Sequence, residues 1–557
     1  MVYCGKASQG CQSCRGRRIK CDKVLPQCTQ CIRVGKICPG YRDQLSLMFR
    51  DESTKVIRKA HAQWGASEAG ESSGSSPTSA STGASPASSQ SSQSLTPPSG
   101  SQSSPTSLHK EIGGTKVDRA IQFYIEHYVI GLPDEPQVGQ ELRGKSWVHT
   151  PETRGIMAAV GLASLSNLTG DKEMQTLANQ QYGVALRTIV NSLKNIQGLD
   201  LEVSLRAVVN LALFEVVRVQ PQVVNPARTH IMGAAALLAS LIPISKSPKE
   251  SLRAQLQLCF SMLGSIQCSL QLHSPEPNVL IPQTSTNSAA PGDEGILPAI
   301  FLNWVATSES RATAPDSPSA KLLGIATRLV QLLASVRSHV LFDGRSGTAA
   351  MILDALQLNT QLDAWEQGQD GIWNVIEGHA DDGFFPPEAV FEGHYHVYSN
   401  MWTARVWSHY RCARLSVDQL LLEAVKRYPI CGQSLVSAGK QQNLLDCINR
   451  LARDTLISIP NHYRHPRLAR MHRDYFDKTK GGAGIGAAGI PTLAYHIKTA
   501  GSAPGVPLRY RAWALGILDT MWADTGMFHV KALADNLSRI YQEHLQKDDS
   551  REILKAE

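Results

Sequence analysis

From Val117 onward, apolar side chains recur at helical spacing. Val117, Ile121, Tyr124 and Tyr128 follow an i, i+4, i+7, i+11 pattern, and Leu205, Val209, Ala212 and Val216 repeat it, as helices burying one face do. Many such segments lie between Lys110 and Glu557, with no series of alternating strands, so a large all-α domain is expected over residues 116–547. Polar breaks at Thr284–Gly295 and Ser308–Ser319 interrupt it and allow for two sub-bundles. Tyr395, Tyr398 and Trp402 sit at helical spacing, where core packing is favoured over lining a ligand pocket. Upstream the pattern stops. Glu71–Ser107 is dominated by Ser, Pro, Gly and Thr. It has almost no apolar side chains to offset its conformational entropy, so residues 66–115 are expected to form a disordered linker. Residues 43–65 carry a weaker stripe of Leu45, Met48, Phe49, Val56 and Ala60, interrupted by Glu52. That is a short helical linker and a candidate dimerisation segment, well short of a sustained coiled coil.

The first segment is organised by cysteine instead. Seven of the 12 cysteines fall within the first 38 residues. Six of them, Cys11, Cys14, Cys21, Cys28, Cys31 and Cys38, form C-x2-C-x6-C twice, a repeat of 17 residues. The N-terminus lacks the apolar core of a signal peptide, and no apolar run approaches the ~20 residues a bilayer span needs; the best is Gly233–Ile244. An intracellular chain that meets no membrane is expected, so the Asn-x-Ser/Thr matches at Asn167 and Asn536 read as chance. A dense cysteine cluster in a reducing compartment points to metal rather than disulfides.

A C-x-x-C pair puts two thiolates on one turn, close enough to share a metal. Three cysteines leave a tetrahedral zinc one ligand short. Two such units complete two zincs if one thiolate from each bridges both ions. Repeat symmetry requires equivalent bridging positions, Cys11 with Cys28 or another matched pair. Charge fits: six thiolates and two Zn2+ sum to −2, which Arg15, Arg17, Arg18, Lys20 and Lys23 more than neutralise. The chain's net +7 is concentrated here, since residues 1–60 hold 13 Lys and Arg against 4 Asp and Glu. That asymmetry suggests an arm that meets a polyanion, and the same basic run would serve as an import signal.

These residues resemble the fungal binuclear zinc-cluster (Zn2Cys6) DNA-binding domain, over about residues 8–42. The resemblance implies two zinc ions bridged by Cys11 and Cys28, and a short helix after each C-x-x-C start. It also implies a first helix whose end enters the major groove to read a CGG triplet. The family's basic reading pair falls on Arg17 and Arg18, and its loop proline on Pro26. Relatives often carry Lys where Arg18 stands; arginine still grips guanine O6 and N7 bidentately. Arg15, Lys20 and Lys23 complete the candidate DNA contacts, Lys20 and Lys23 as phosphate ligands. "LEVSLRAVVNLALFEVV", "HIMGAAALLAS" and "HVYSNMWTARVWSHYRCARL" resemble the regulatory domain that follows this cluster in many fungal transcription factors. The expectation is a nuclear, zinc-dependent regulator of RNA polymerase II genes. Its partners would be double-stranded DNA with CGG-type sites, transcription co-regulators and a second copy of the chain.

Other motifs are weaker. "GQELRGKS" (Gly139–Ser146) fits a P-loop pattern, but Pro- and acid-rich "LPDEPQV" precedes it where a strand is needed. "GIGAAG" (Gly484–Gly489) has neither a leading strand nor a ribose-binding acid. His462, His465 and His472 match no metal spacing and read as a solvated basic loop. No catalytic residue or enzyme activity is expected. The alternatives are a zinc-stabilised interaction module without base readout, or a nucleotide-binding switch.

Overall fold

The computed structural model describes residues 11–17, 19–22, 24, 27–35, 38, 114–130, 150–194, 201–218, 226–241, 248–272, 280, 297–337, 345–380, 383–473 and 489–556. The chain divides into two compact units, Met1–Thr106 and Ser107–Glu557. In the first, two short helices, α1 (Gln12–Gly16) and α2 (Thr29–Ile32), each follow a cysteine that opens a repeat. The candidate dimerisation segment, the P-loop-like stretch and the glycines of "GIGAAG" before Gly489 lie outside the described residues. So does the expected linker, apart from Gly114 and Thr115.

Thr115 starts the second unit by capping α3 (Lys116–Tyr124). Its hydroxyl accepts from the Asp118 N–H, while the Asp118 carboxylate accepts from its backbone N–H at 3.2 Å. That reciprocal pair satisfies two donors no helical carbonyl can reach. The chain continues through a π turn (Ile125–Ile130), then α4 (Pro151–Thr169), α5 (Lys172–Leu193), α6 (Leu201–Val217) and α7 (Pro226–Leu241). Helices α3, α5 and α6 all pack on α4. At the α3–α4 crossing the backbones touch: a Cβ on Gly161 would lie 1.9 Å from the Ala120 carbonyl oxygen.

Next come α8 (Pro248–Leu272), α9 (Ala299–Arg311), α10 (Ser317–Arg337) and α11 (Arg345–Gln367). A two-stranded antiparallel sheet follows, β1 (Ile376–His379) against β2 (His394–Val397), with Ile376 opposite Val397. The remainder is α12 (Met401–Arg427), α13 (Pro429–Leu435), α14 (Ala438–Ile457), α15 (Arg470–Arg473), α16 (Ile490–Ser502), α17 (Leu508–Thr525) and α18 (Phe528–Ala556). Helix α12 is the axis, buried almost throughout Met401–Leu421 and packed on α10, α11, α14 and α16. The two ends of the unit are stapled together. Asn167 donates to the Val217 carbonyl at 2.8 Å and the Gly526 carbonyl at 2.9 Å, and Tyr128 donates to the Thr525 carbonyl at 2.8 Å.

One continuous apolar core runs from Ala120 to Leu537, so two separate sub-bundles are not what forms. The polar break at 308–319 is only the turn between α9 and α10, tied inward by indole N–H donors: Trp373 to the Pro315 carbonyl and Trp365 to the Pro318 carbonyl. In α6 the expected face is the outer one. Leu205, Val209, Ala212 and Val216 are half-buried, whereas Ala207, Leu211, Phe214 and Val217 are buried. A helix apolar all round carries no single stripe to read. Tyr395 is a strand residue in a small cluster with Phe385, Ala389, Val390 and Leu468, while Tyr398 and Trp402 join the main core. Helix α10 has the length and hydropathy of a membrane span, yet Lys321 and Arg328 interrupt it and its apolar residues sit in the core. Asn536 is buried, and Asn167 is the staple described above.

Candidate metal centre and its basic rim

Each half of the small unit is a turn built around sulfur. In the first half the Cys14 N–H donates to Cys11 Sγ at 3.4 Å, and the Ile19 N–H closes back on the Cys14 carbonyl at 3.0 Å. In the second, Cys28 is the N-cap of α2, and the Cys31 and Ile32 N–H groups donate to its carbonyl at 3.0 and 3.2 Å. The Cys14 N–H on the Cys11 sulfur favours the thiolate form there. One link between the halves could not be read from the repeat. Asp22 accepts from the Thr29 backbone N–H at 3.1 Å and from the Thr29 hydroxyl. Those bonds hold its carboxyl below the usual range and set a negative charge at the start of α2, where the helix dipole favours it. The repeat places Pro39, not an acid, at the equivalent position in the second half, so its symmetry carried no signal for this contact.

The six sulfurs fall into two groups of four, Cys11–Cys14–Cys21–Cys28 and Cys11–Cys28–Cys31–Cys38, with all ligand atoms of a group within 4.8 Å of one another. Cys11 and Cys28 belong to both. Their sulfurs are 3.7 Å apart, as are Cys11 to Cys31 and Cys14 to Cys28, with Cys38 to Cys28 at 3.9 Å. A disulfide would need about 2.05 Å. Tetrahedral zinc with Zn–S near 2.3 Å separates its sulfurs by about 3.8 Å. The residues therefore fit a binuclear zinc centre with four terminal and two shared sulfurs.

Burial shifts Cys11, Cys14 and Cys28 toward their protonated forms. The Cys14 N–H, the largest influence on Cys11, lowers its pKa, but burial and neighbouring thiols outweigh it and push the group up to about 12. Burial drives Cys28 well above the usual thiol range. Zinc must displace those protons to bind.

Among the basic candidates, Arg17 and Lys20 are exposed just beyond α1. Arg15 lies in α1, with its side chain outside the described residues, as are Arg18, Lys23 and Pro26. The histidines of the large unit correct an expectation. His465 is buried, and His462 and His472 are half-buried, so this is no solvated loop. The segment is held in place by Asn461, which donates to the His396 carbonyl at 2.7 Å, and by Tyr463 against Asp524 at 3.1 Å. Those three histidines also form no ligand group; among the described residues only the cysteine groups have metal-holding geometry. Cys259, Cys268 and Cys412 are plain buried thiols.

A small domain organised by six sulfurs around two metals is the class that the geometry defines. Residues 9–47 match the fungal Zn(2)-Cys(6) binuclear cluster domain. Over 64 residues the chain is 46% identical to the aspercryptin biosynthesis cluster-specific transcription regulator atnN of Emericella nidulans, a stretch that covers 12% of this chain and 10% of that relative. No solved structure matches the chain.

Proposed function

We propose that the chain is a zinc-dependent, sequence-specific DNA-binding regulator of transcription that acts in the nucleus. The observation that carries the proposal is the pair of four-sulfur groups sharing Cys11 and Cys28, with Arg17 and Lys20 exposed beside them. Zinc fixes the turn that presents α1, and the excess positive charge of residues 1–60 draws that turn to the phosphate backbone. In this reading Cys11, Cys14, Cys21, Cys28, Cys31 and Cys38 ligate zinc. Arg17 and Arg18 read a CGG half-site in the major groove, and Arg15, Lys20 and Lys23 hold phosphates. Residues 8–42 are the reader, 66–115 a tether and 116–547 a regulatory domain that meets co-regulators. The regulatory resemblance is carried by α6, α7 and the β2–α12 stretch. By analogy with the relative's printed name, the targets are metabolic or secondary-metabolite genes. No catalytic step belongs to this reading.

The test is selection from a random DNA library with the full chain in zinc at physiological salt. CGG-containing sites should be enriched, and enrichment should be lost on chelation. Their spacing reports whether two copies bind together. Arg18→Ala should weaken the selected site by about 1–3 kcal/mol relative to random DNA. Salt-sensitive binding with no enriched sequence would leave a basic zinc module without base readout.

A further inference from the structure

The two-stranded sheet of the large unit leaves one edge open. The Ala380 N–H donates to the Gly393 carbonyl at 3.1 Å, and that bond fixes the alternation along the β1–β2 ladder. Ile376 and Gly378 turn their backbone groups toward β2, whereas Glu377 and His379 turn theirs away from it. The other strand shows the same alternation. The His396 carbonyl, opposite Glu377, points away from β1 and accepts from Asn461 at 2.7 Å. The outer side of β2 is thus covered by the Ile459–Asn461 turn. Nothing among the described residues does this for β1. The outward N–H and C=O groups of Glu377 and His379 make no hydrogen bond there, and both residues are exposed.

This edge is complementary to itself. Glu377 and His379 flank Gly378, so a two-fold axis through Gly378 sets Glu377 of one copy opposite His379 of the other, and the reverse. Those are the residues with unused backbone groups, and each facing pair can exchange two N–H···O=C bonds. Their side chains share one face of the strand, carboxylate against imidazole. Arg453 donates to the Glu377 carboxylate at 2.6 and 3.2 Å, and His394 Nδ1 lies 2.7 Å from it. A carboxylate has about four acceptor sites, which leaves one for the facing imidazole. Gly378 falls where antiparallel strands come closest, in a pair without hydrogen bonds and with Cα atoms about 4.5 Å apart. No side chain obstructs that approach, and Tyr395 explains why: a Cβ on Gly378 would lie 2.4 Å from its ring. Ile376 is 64% exposed, and the same axis sets it against Ala380 of the second copy, apolar on apolar. The strand carries no lysine, proline or bulge, devices that keep edges from pairing.

We propose that β1 is a homodimerisation edge, pairing antiparallel with β1 of a second copy about a two-fold axis at Gly378 to give a four-stranded sheet. Four residues a side fall well short of a standard interface of about 800 Å² per partner, so association in the micromolar range is expected. On DNA with two half-sites the two copies would meet at a raised effective concentration. For that use alone the pairing rests on the DNA-binding function proposed above.

Sedimentation equilibrium of the full chain in zinc, without DNA, should show monomer and dimer exchanging over about 1–100 µM. As the dimer fills, the Glu377 and His379 amides should gain protection from hydrogen exchange, while the Gly378 amide, turned toward β2, stays protected throughout. His379→Pro deletes an outward N–H that no bond within the chain uses, and should raise the dissociation constant at least about tenfold. Ile376→Lys puts a charge on the edge at an exposed position and should do the same with the thermal transition unmoved; it serves if His379→Pro does not fold. A chain that stays monomeric over this range would overturn the proposal, as would a dimer that the folded variants leave intact, the result expected if residues 43–65 hold it instead. With no DNA in the cell, either result leaves the zinc-dependent selection of DNA sites to be judged by itself.

Discussion

The two units solve the problem of folding by opposite means. In the large one, a single apolar core links helices hundreds of residues apart in sequence. In the small one, the buried cluster among the described residues consists of cysteines, while Ile19, Val24, Ile32 and Val34 stand exposed. Apolar burial at about 25 cal/mol per Å² contributes little where the described aliphatic side chains stand in water. Ligation contributes more, because structural zinc supplies about 10–16 kcal/mol. The comparison breaks most sharply on Cys28→Ser, which removes a sulfur from both groups of four. Bound zinc, measured by elemental analysis, should fall from two ions per chain to fewer than one. The small unit should lose its amide protection from hydrogen exchange, and the thermal transition of the large unit should stay where it was. Cys14→Ser touches only one group and should retain more metal. If chelation shifted the large unit's transition as well, the contrast between the units would be wrong.

The large unit should break on a single methyl where its backbones touch. Gly161→Ala drives a Cβ into the Ala120 carbonyl, 1.9 Å away. Neither partner is the flexible end of a side chain, so α3 and α4 must separate and open the core between them. A cost of about 4 kcal/mol or more is expected, seen as a lower chemical-denaturation midpoint at unchanged zinc content. Gly526→Ala tests the same principle, since its φ of 63° is left-handed and its Cβ would lie 2.4 Å from the Ser164 carbonyl oxygen.

The same contrast explains what the sequence made legible. Cysteine spacing is local and chemically specific, so the metal centre could be read almost whole. Asp22 on Thr29 escaped because it joins positions that the repeat does not relate. In the large unit, helix period located α3 and α6 well, since it is a property of the chain itself. Which face of α6 turns inward depends on α4 and α7, which no local window contains. The Asn167 staple is further from view, because its acceptors belong to α6 and to the turn after α17. Burial of the His462–His465 segment likewise depends on β2 and α17, so its run of basic letters reads locally as a wet loop.

Acid should separate the two units by mechanism, with the smallest effect of the three. In the large unit, burial followed by Arg411 lowers His396 to about 2, burial followed by Arg405 lowers both His409 and His462 to about 3, and burial lowers His529 to about 4, each from 6.5. The unfolded chain takes up protons near pH 6.5 that the folded chain refuses. Stability is therefore fully present above that pH and lost as pH falls below it, by up to about 1.4 kcal/mol per histidine per pH unit. The carboxylates that arginines hold down do not contribute at first. Arg453 holds Glu377, and Arg450 against the effect of burial holds Glu366, below the usual 4.5, so their stabilisation is lost only further down. Between pH 6.5 and 5 the large unit should lose stability through its histidines, and His529→Gln should flatten that slope. The small unit should respond through its sulfurs, since protons compete with zinc for the thiolates. Zinc release followed with a chromophoric chelator should track pH in the His529→Gln chain as in the parent. A slope unchanged by the substitution would mean that the buried imidazole does not carry the acid sensitivity assigned to it.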